Sequence, residues 1–407
     1  MRKLVKIYVL IFFFLFFSVN HVISQITQSP YSMFGLGSIE ENSIGASKAM
    51  GGTGIAFLSG TTLNLLNPAS YNGIDSLVSI YEIGFFGKYT SFDSNEDDQT
   101  LFNGNVKYVA MGFRVSRRVA TSFGFVPYST IGYNINSLSE IEGSNFKYYE
   151  TYSGEGGVNK FYLGGSYKIT KNLNFGINAA YFLGNITHSE SSDNYSYKLQ
   201  DLTYVSNFNL NYGLNYQFEL NKWKYNIGLI YDNGKRLRTK NISTIETANE
   251  SEVLRTNIHR FSLPKTYGVG LAVGNDNFRG GIDYELKKWG DINFNNHLLK
   301  TRNSKRYSLG LEYSTYGGSR GSSKLISYRL GGEYLESYLI IDKVPINYKS
   351  VTIGAGLPLK GVPNTMNISL ELGQNGDKKG DLTKETFITL HLDVALKDFW
   401  FVKRKYN

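Results

Sequence analysis

The chain has 407 residues, with 31 tyrosines, 26 phenylalanines, 43 glycines and no cysteine, which excludes disulfide bonds and thiolate chemistry. A mean hydropathy of -0.26 is too polar for a helical membrane protein, and abundant aromatic residues and glycine favour β-strands. The formal net charge of +9 is modest and comes without a basic patch interleaved with aromatic residues, which argues against nucleic-acid binding.

The N-terminus has the pattern of a secretory signal peptide. Arg2, Lys3 and Lys6 precede an apolar run over residues 7–17, and residues 22–24 suit the positions that a signal peptidase reads. We therefore expect residues 1–24 to be a signal peptide and the mature chain to be exported. The apolar run is too short for a membrane-spanning helix, and no cysteine follows it to carry a lipid anchor.

Residues 29–70 differ from the rest of the chain because glycine and other small residues are dense here. The stretch contains Ala49-Met50-Gly51-Gly52-Thr53-Gly54 and, further on, Asn67-Pro68-Ala69. Glycines at this density indicate positive φ angles or close backbone approach. Because such a segment cannot lie unpaired in lipid, we expect it to fold against protein.

Fourteen later segments alternate with the period of two that is typical of β-strands, and turn residues bound them. These segments are 77–90, 105–116, 119–135, 157–169, 172–185, 204–219, 223–238, 265–274, 278–288, 306–316, 324–335, 349–359, 365–373 and 385–397. An even number near fourteen is in the range of single-chain transmembrane barrels.

The connections between these segments alternate in length. Short turns alternate with longer, mostly polar loops, which are 91–104, 136–156, 186–203, 239–264, 290–305, 336–348 and 374–384. A transmembrane barrel has short turns at one end and longer loops at the other, whereas a soluble sandwich has no reason to keep this phase. The sequence therefore predicts an all-β fold, a transmembrane antiparallel β-barrel of about 14 strands.

The third predicted strand contains Pro127, followed by Tyr128 and Ser129. Proline cannot donate a hydrogen bond to a neighbouring strand, so we expect the wall to bulge or kink at this point. An ordinary bulge near the barrel rim and a functional kink are both compatible with the sequence.

The alternation assigns side chains to the two faces of the wall. We expect lipid to contact Leu173, Phe175, Ile177, Ala179, Tyr181, Leu183, Phe208, Leu210, Tyr212, Leu214, Tyr216, Phe218, Val351, Ile353, Ala355, Leu357, Leu359, Met366, Ile368, Leu370 and Leu372. The expected polar lumen residues are Asn209, Asn211, Asn215, Glu219, Arg279, Asp283, Glu285, Glu312, Arg329, Glu333, Glu371, His391 and Asp393. Because inward charges must be hydrated or paired, we favour a lattice of ion pairs that fills the lumen; a polar path for solute is the alternative.

The last segment has the clearest alternation. One face carries Ile388, Leu390, Leu392, Val394 and Leu396, and the other carries Thr389, His391, Asp393 and Ala395. An aromatic cluster at 399–401 and a basic tail at 403–407 follow, as expected of a strand that closes an outer-membrane barrel. For this segment alone, a sandwich strand with one wet face is the alternative.

The small-residue segment, together with the strands that follow it, resembles the FadL/TodX family of outer-membrane transporters of hydrophobic compounds. The resemblance covers Ala49 to Ala69, in the motif residues Ala49, Met50, Gly51, Gly52, Gly54, Asn67, Pro68 and Ala69, and extends to the strand count. It implies an N-terminal hatch over residues 25–75 that plugs a barrel over residues 76–407. It also implies that the strand with Pro127 kinks inward and opens the wall sideways.

On this basis we expect a channel in the cell outer membrane that takes up hydrophobic small molecules, fatty acids or related compounds. Its expected partners are membrane lipid, the hydrophobic ligand and, in addition, outer-membrane proteins. The alternative is a barrel subunit that scaffolds an outer-membrane secretion or protein-assembly complex. The histidines lack metal-ligand spacing and no nucleophile motif is present, so we expect no catalytic residue, metal site or cofactor.

Overall fold

The computed structural model describes residues 29–399 apart from 95–97, 141–146, 193–196, 248–249, 293–298, 318–323, 360–363 and 381. The predicted signal peptide and the basic C-terminal tail lie outside the described residues. Within the described ranges, no helix has the length and apolar character needed to span a bilayer.

The described residues form eighteen strands and one short α-helix, α1 (Gly45–Lys48), with two 3-10 helices at Pro30–Met33 and Pro68–Gly73. The strands are β1 (Ser38–Ile39), β2 (Val78–Asp93), β3 (Asp98–Arg114), β4 (Val119–Glu140), β5 (Lys147–Lys168), β6 (Leu173–Ser192), β7 (Tyr197–Leu220), β8 (Trp223–Asp232), β9 (Arg236–Thr247), β10 (Ser251–Ser262), β11 (Thr266–Gly274), β12 (Phe278–Lys287), β13 (Leu299–Thr301), β14 (Ser304–Gly317), β15 (Lys324–Ile341), β16 (Val344–Pro358), β17 (Thr365–Asn375) and β18 (Lys384–Phe399).

The strands from β2 to β18 close into one antiparallel barrel of fourteen wall strands, because β18 pairs with β2. Three wall strands are interrupted and are each made of two pieces. The first consists of β8 and β9, which both pair with β7. The second consists of β11, which pairs with β8, and β10, which pairs with β9. The third consists of β13 and β14, which both pair with β15. The predicted fold class, a fourteen-stranded transmembrane barrel, is confirmed.

Several of the predicted long loops are wrong, because strands continue through them. β4 runs to Glu140, β6 runs to Ser192, and β9 with β10 occupies most of the predicted loop 239–264. These extensions carry few apolar residues, which do not recur at every second position, so period-two hydrophobic alternation does not mark them. Backbone hydrogen bonds between neighbouring strands hold them instead, and such bonds leave little trace in side-chain pattern.

The outer face of the wall is apolar and exposed to the surroundings. For example, Val351 and Ile353 are 59% and 61% exposed, whereas Thr352 between them is 1% exposed. The inner face is largely buried: Thr389, on the face of β18 opposite Leu390, is only 4% exposed. Glu219 is the exception among the expected lumen residues, since it lies exposed at the turn end of β7, opposite Lys224.

Residues 29–75 contain none of the wall strands and lie against the inner face of the barrel. The two 3-10 helices begin for local reasons: Ser29 and Asn67 each accept a backbone N–H with the side chain, and proline follows at the first helical position. Tyr31 and Leu36 pack with wall residues such as Ile131 and Tyr338 in one buried apolar cluster. The N-terminal segment therefore lies inside the barrel, packed against its inner wall.

Candidate functional site

The glycine-rich turn after α1 makes the closest contact between the N-terminal segment and the wall. Gly51 has a φ of 62°, and a β-carbon at this position would overlap the backbone of Gly332 in β15. Thr352 of β16 accepts a hydrogen bond from the Gly51 N–H at 2.8 Å and donates one to the Ala49 carbonyl at 3.1 Å. Only glycine fits both the backbone angle and the approach, which explains the small residues at this point.

One wall carboxylate, Asp283, and one asparagine, Asn67, fix the next part of the segment. Asp283 accepts hydrogen bonds from the N–H groups of Gly54 and Ile55 at 2.6 and 2.9 Å. Asn67 donates to the carbonyls of Ile55 and Leu214 at 2.8 and 3.0 Å, so it joins two parts of the segment to β7. Pro68 and Ala69 are buried beside it.

Glu371 is the centre of a polar cluster inside the barrel. It forms an ion pair with Lys48 of α1 at 3.1 Å, lies 3.0 Å from His391 Nε2, and accepts from the Tyr348 hydroxyl at 2.5 Å. Lys48, Glu371 and His391 are buried, so their polar atoms rely largely on one another for hydrogen bonds.

Two further ion-pair groups lie on neighbouring strands. Arg279 and Arg329 both contact Glu312, at 2.9 and 2.5 Å. Arg306 pairs with Glu333 at 2.9 Å and donates to the carbonyl of Gly52 at 2.6 Å.

Asp393 belongs to a separate contact, in which it accepts from Tyr108 of β3 at 2.8 Å. The same tyrosine lies 3.4 Å from Glu82. The charged lumen residues thus form several small groups along the inner wall, and their functional role stays a prediction. These residues are Arg279, Asp283, Glu312, Arg329, Glu333, Glu371, His391 and Asp393.

Several important partners did not stand out in the sequence. Arg306, Thr352 and Glu82 lie on inner faces that alternation could have identified, since each is in phase with buried neighbours on its strand. Lys48, Glu40 and Glu41 belong to the N-terminal segment, where no periodic pattern exists. Only the tertiary structure shows what they contact.

Charges on the N-terminal segment are held by lysines of the wall. Burial raises the pKa of Glu41, but Lys287 at 3.0 Å outweighs it and lowers the pKa to about 2. Burial raises the pKa of Glu40 as well, but Lys107 at 3.3 Å outweighs this effect and brings the pKa below its usual value. Both carboxylates therefore stay ionised at neutral pH and tie the segment to β12 and β3.

A cavity of about 220 Å³ lies between the segment and the strands from β14 round to β3. Its lining is mixed: aromatic side chains such as Phe86, Trp289 and Phe387 alternate with charged ones. Lys88 reaches over the Phe387 ring, with Nζ 4.3 Å from the ring centroid. The cavity therefore has both apolar and polar surface.

Among the described wall strands, β3 and β4 have the shortest pairing between neighbours. The two strands pair over six residue pairs, from Val109↔Phe125 to Arg114↔Ala120. β3 stays paired with β2 as far as Asp98, and β4 stays paired with β5 as far as Glu140. We call the stretch between residues 98–108 of β3 and 126–140 of β4 the β3–β4 gap.

The gap begins where β4 bulges. The pairing of β4 with β5 shifts by one residue between Pro127 and Ser129, so Tyr128 is the extra residue. On the lumen side of the gap, β1 pairs with Ser129 and Thr130. The 220 Å³ cavity reaches the gap, because Leu101, Asn103 and Lys107 of β3 and residues 38–40 line it.

Together these features define a closed transmembrane β-barrel of fourteen wall strands, with an N-terminal segment against its inner wall and only six residue pairs between β3 and β4. More particularly, the chain belongs to the BamG family, whose model matches residues 3–407. No curated protein sequence matches the chain.

Among solved structures, the barrel is similar to toluene transporters. The Ralstonia pickettii toluene transporter TbuX matches with a TM-score of 0.58 and 14% identity, over 88% of this chain and 99% of that one. The Pseudomonas putida toluene transporter TodX matches with a TM-score of 0.58 and 16% identity, over 90% and 100%. A deltaS2 mutant of the TodX monoaromatic hydrocarbon channel matches with a TM-score of 0.62 and 16% identity, over 89% of this chain and 100% of that one. The resemblance to the FadL/TodX family therefore holds for the fold, while the family model that matches is BamG.

Proposed function

We propose that the protein is a non-enzymatic channel of FadL-like type in the cell outer membrane, which passes hydrophobic small molecules through a lateral wall opening. Residues 25–75 act as the hatch and residues 76–407 as the barrel. The ligand class is monoaromatic hydrocarbons, fatty acids or related compounds, and bilayer lipid is the other partner. The observation that carries the proposal is the β3–β4 gap, with the cavity of about 220 Å³ directly behind it.

The route runs from the cavity between β1 and β3 and out through the gap. Asn103 lies on the cavity side of β3, whereas Val106 is 43% exposed on the outer face. The two positions are three residues apart along the chain, so they offer a matched pair for testing the route.

The experiment compares uptake of labelled toluene and a labelled long-chain fatty acid by cells with equal amounts of wild type, Asn103→Trp or Val106→Trp. We expect Asn103→Trp to reduce uptake to the background of cells without the protein, because the indole fills the route. Val106→Trp should retain more uptake than Asn103→Trp, because its side chain lies on the outer face of β3 and not in the cavity. Wild-type uptake by Asn103→Trp, with normal heat-modifiable gel migration, would rule out this route.

A second candidate function is a scaffold subunit of an outer-membrane secretion or protein-assembly complex. The strands β4 to β7 have 22, 22, 20 and 24 residues, whereas about 9–11 residues cross a bilayer. These hairpins therefore extend well beyond the membrane as a hydrogen-bonded sheet that a partner protein could contact. The match to the BamG family model also favours keeping this candidate.

Native mass spectrometry of protein extracted in mild detergent separates the two candidates. A scaffold predicts a stoichiometric protein partner that is lost when residues 188–201 of the β6–β7 hairpin are replaced by an Asn-Gly turn and kept in Val106→Trp. A channel predicts a bound hydrophobic small molecule that is lost in Asn103→Trp and kept in the hairpin variant.

A further inference from the structure

The edge of β4 changes partner at the bulge. Below the bulge, residues 120–125 pair with β3. Above it, Tyr128 O accepts from the Glu40 N–H at 2.9 Å, Gly132 O accepts from the Ser29 N–H at 3.1 Å, and β1 pairs with Ser129 and Thr130. The N-terminal segment has thus taken the place that β3 occupies lower down.

The corresponding edge of β3 has no strand partner among the described residues. The register across β18, β2 and β3 places Val106 level with Leu392, and Phe102 level with Ile388. Leu392 and Ile388 belong to the lipid-facing side of β18. Unpaired backbone groups are costly at this depth in a bilayer, so β3 gains from any strand that it can pair with.

The two strands are built to pair across the gap. β3 carries one extra residue, Lys107, relative to β2, and β4 carries one extra residue, Tyr128, relative to β5. If the register of Val109↔Phe125 continues one for one, Val106 falls opposite Tyr128. The two bulges then lie next to each other, and the extra residue in β3 compensates for the extra residue in β4. Pro127, which has no N–H to donate, lies inside this bulged region.

Beyond the bulges, the inner faces of the strands match again. The continued register pairs Asn105 with Ser129, Asn103 with Ile131 and Leu101 with Tyr133. Leu101 and Asn103 line the cavity, while Ser129, Ile131 and Tyr133 are buried. A one-residue mismatch would have turned apolar and polar faces against each other, and no such mismatch arises.

We propose that β1 and β3 are alternative partners for the same edge of β4, so that β1 holds a lateral gate open and its withdrawal lets β3 pair with β4 and close the wall. Ser129 is paired with Ile39 in the open state and with Asn105 in the closed state. The Lys107–Glu40 ion pair at 3.3 Å joins β3 to the residue that directly follows β1. In the proposed open state, β1 keeps β3 apart from β4. The regulatory meaning of this gate rests on the proposed lateral route, but the pairing can be measured independently.

The chain has no cysteine, so introduced pairs report cleanly under mild oxidation of cells. Ile39→Cys with Ser129→Cys reports the open pairing, and Asn105→Cys with Ser129→Cys reports the closed pairing. Leu101→Cys with Ser129→Cys is the control, because four residues of register separate these positions and exceed the reach of a disulfide. Folding is checked by heat-modifiable gel migration.

We expect the open pair to form a disulfide readily in the otherwise unchanged protein, and the closed pair to form more slowly. Glu40→Pro removes both the hydrogen bond to Tyr128 and the ion pair, and should raise the yield of the closed pair roughly fivefold, the shift expected from one lost hydrogen bond. Glu40→Gln keeps the N–H and should raise it less. A closed-pair yield no higher than the control pair in all three backgrounds would overturn the gate, as would failure of the open pair in a folded barrel.

Uptake of labelled toluene then separates the gate from the route. A closed-pair disulfide should stop uptake, and a reducing agent should restore it. If the disulfide forms with the expected response to Glu40→Pro while uptake continues, the gate is real and the proposed lateral route is wrong.

Discussion

The wall from β14 to β18 and the join between β3 and β4 differ in how they meet the N-terminal segment. On the β14–β18 side, the segment contacts the wall through a glycine-to-glycine approach and the buried Glu371 cluster. On the β3–β4 side, it takes over one strand edge and adds the half-buried Lys107–Glu40 pair. The same segment thus packs against glycine and buried charge on the β14–β18 side, here called the sealed side, and pairs with a strand edge on the β3–β4 side.

This difference indicates that the β14–β18 side is the more rigid part of the barrel and the β3–β4 side the more mobile part. Buried charge clusters are costly to break and therefore fix one arrangement, whereas strand edges can exchange one partner for another at little cost in hydrogen bonds. The sealed side should thus tolerate few substitutions, and the β3–β4 side should tolerate more.

The largest effect is expected for Glu371→Ala. The change leaves Lys48, His391 and Tyr348 without their shared acceptor inside the barrel, and breaking a buried pair in this way costs about 3–5 kcal/mol. Urea unfolding of the purified barrel in detergent measures the free energy. Glu140→Ala is the control, because Glu140 and its partner Lys147 are 61% and 56% exposed, and the change should cost less than about 1 kcal/mol. Similar losses in the two variants would contradict a special role for the sealed side.

Gly51→Val should cost about 3 kcal/mol, from the left-handed backbone angle and the overlap with Gly332. We also expect higher permeability of cells to small antibiotics, because the segment no longer seats against β15. Gly165→Val is the matched change, since a β-carbon at Gly165 meets no atom within 4 Å. The expectation fails if both variants assemble and exclude antibiotics equally well.

Leu392→Arg should cost about 2 kcal/mol, because the guanidinium would enter the lipid-facing side of β18 near mid-membrane. Thr386→Arg lies on the same face but near the end of the strand, where the expected cost is less than about 1 kcal/mol. Assembly levels and unfolding free energies of the two variants give the comparison. Equal values would place the membrane at a different height on the barrel.

The smallest effect is expected for Lys107→Gln, at about 1 kcal/mol or less, since Lys107 and Glu40 are 16% and 29% exposed. Lys48→Gln is the direct counterpart on the sealed side, where lysine and glutamate are 10% and 3% exposed, and should cost more. Unfolding free energies of the two variants test the order. A larger loss in Lys107→Gln would reverse the assignment of the rigid and mobile sides.

The sequence by itself determined the barrel and the faces of its strands. Ile388, Leu390 and Leu392 alternate with Thr389 and His391 because a strand turns successive side chains to opposite sides, and this local rule needs no knowledge of neighbours. The glycines at 51 and 52 likewise indicated a close backbone approach. Where both faces of a strand are polar, as at the ends of β6 and β9, the rule has nothing to detect.

The partners were decided only by the tertiary structure. Lys48 is 323 residues from Glu371 along the chain, and nothing in either local sequence selects the other. Pro127 indicated a bulge in β4, but the matching extra residue at Lys107 and the transfer of the β4 edge to β1 depend on how three distant strands are aligned. Pairing between strands is a property of register across the sheet, and register is fixed by all the contacts together.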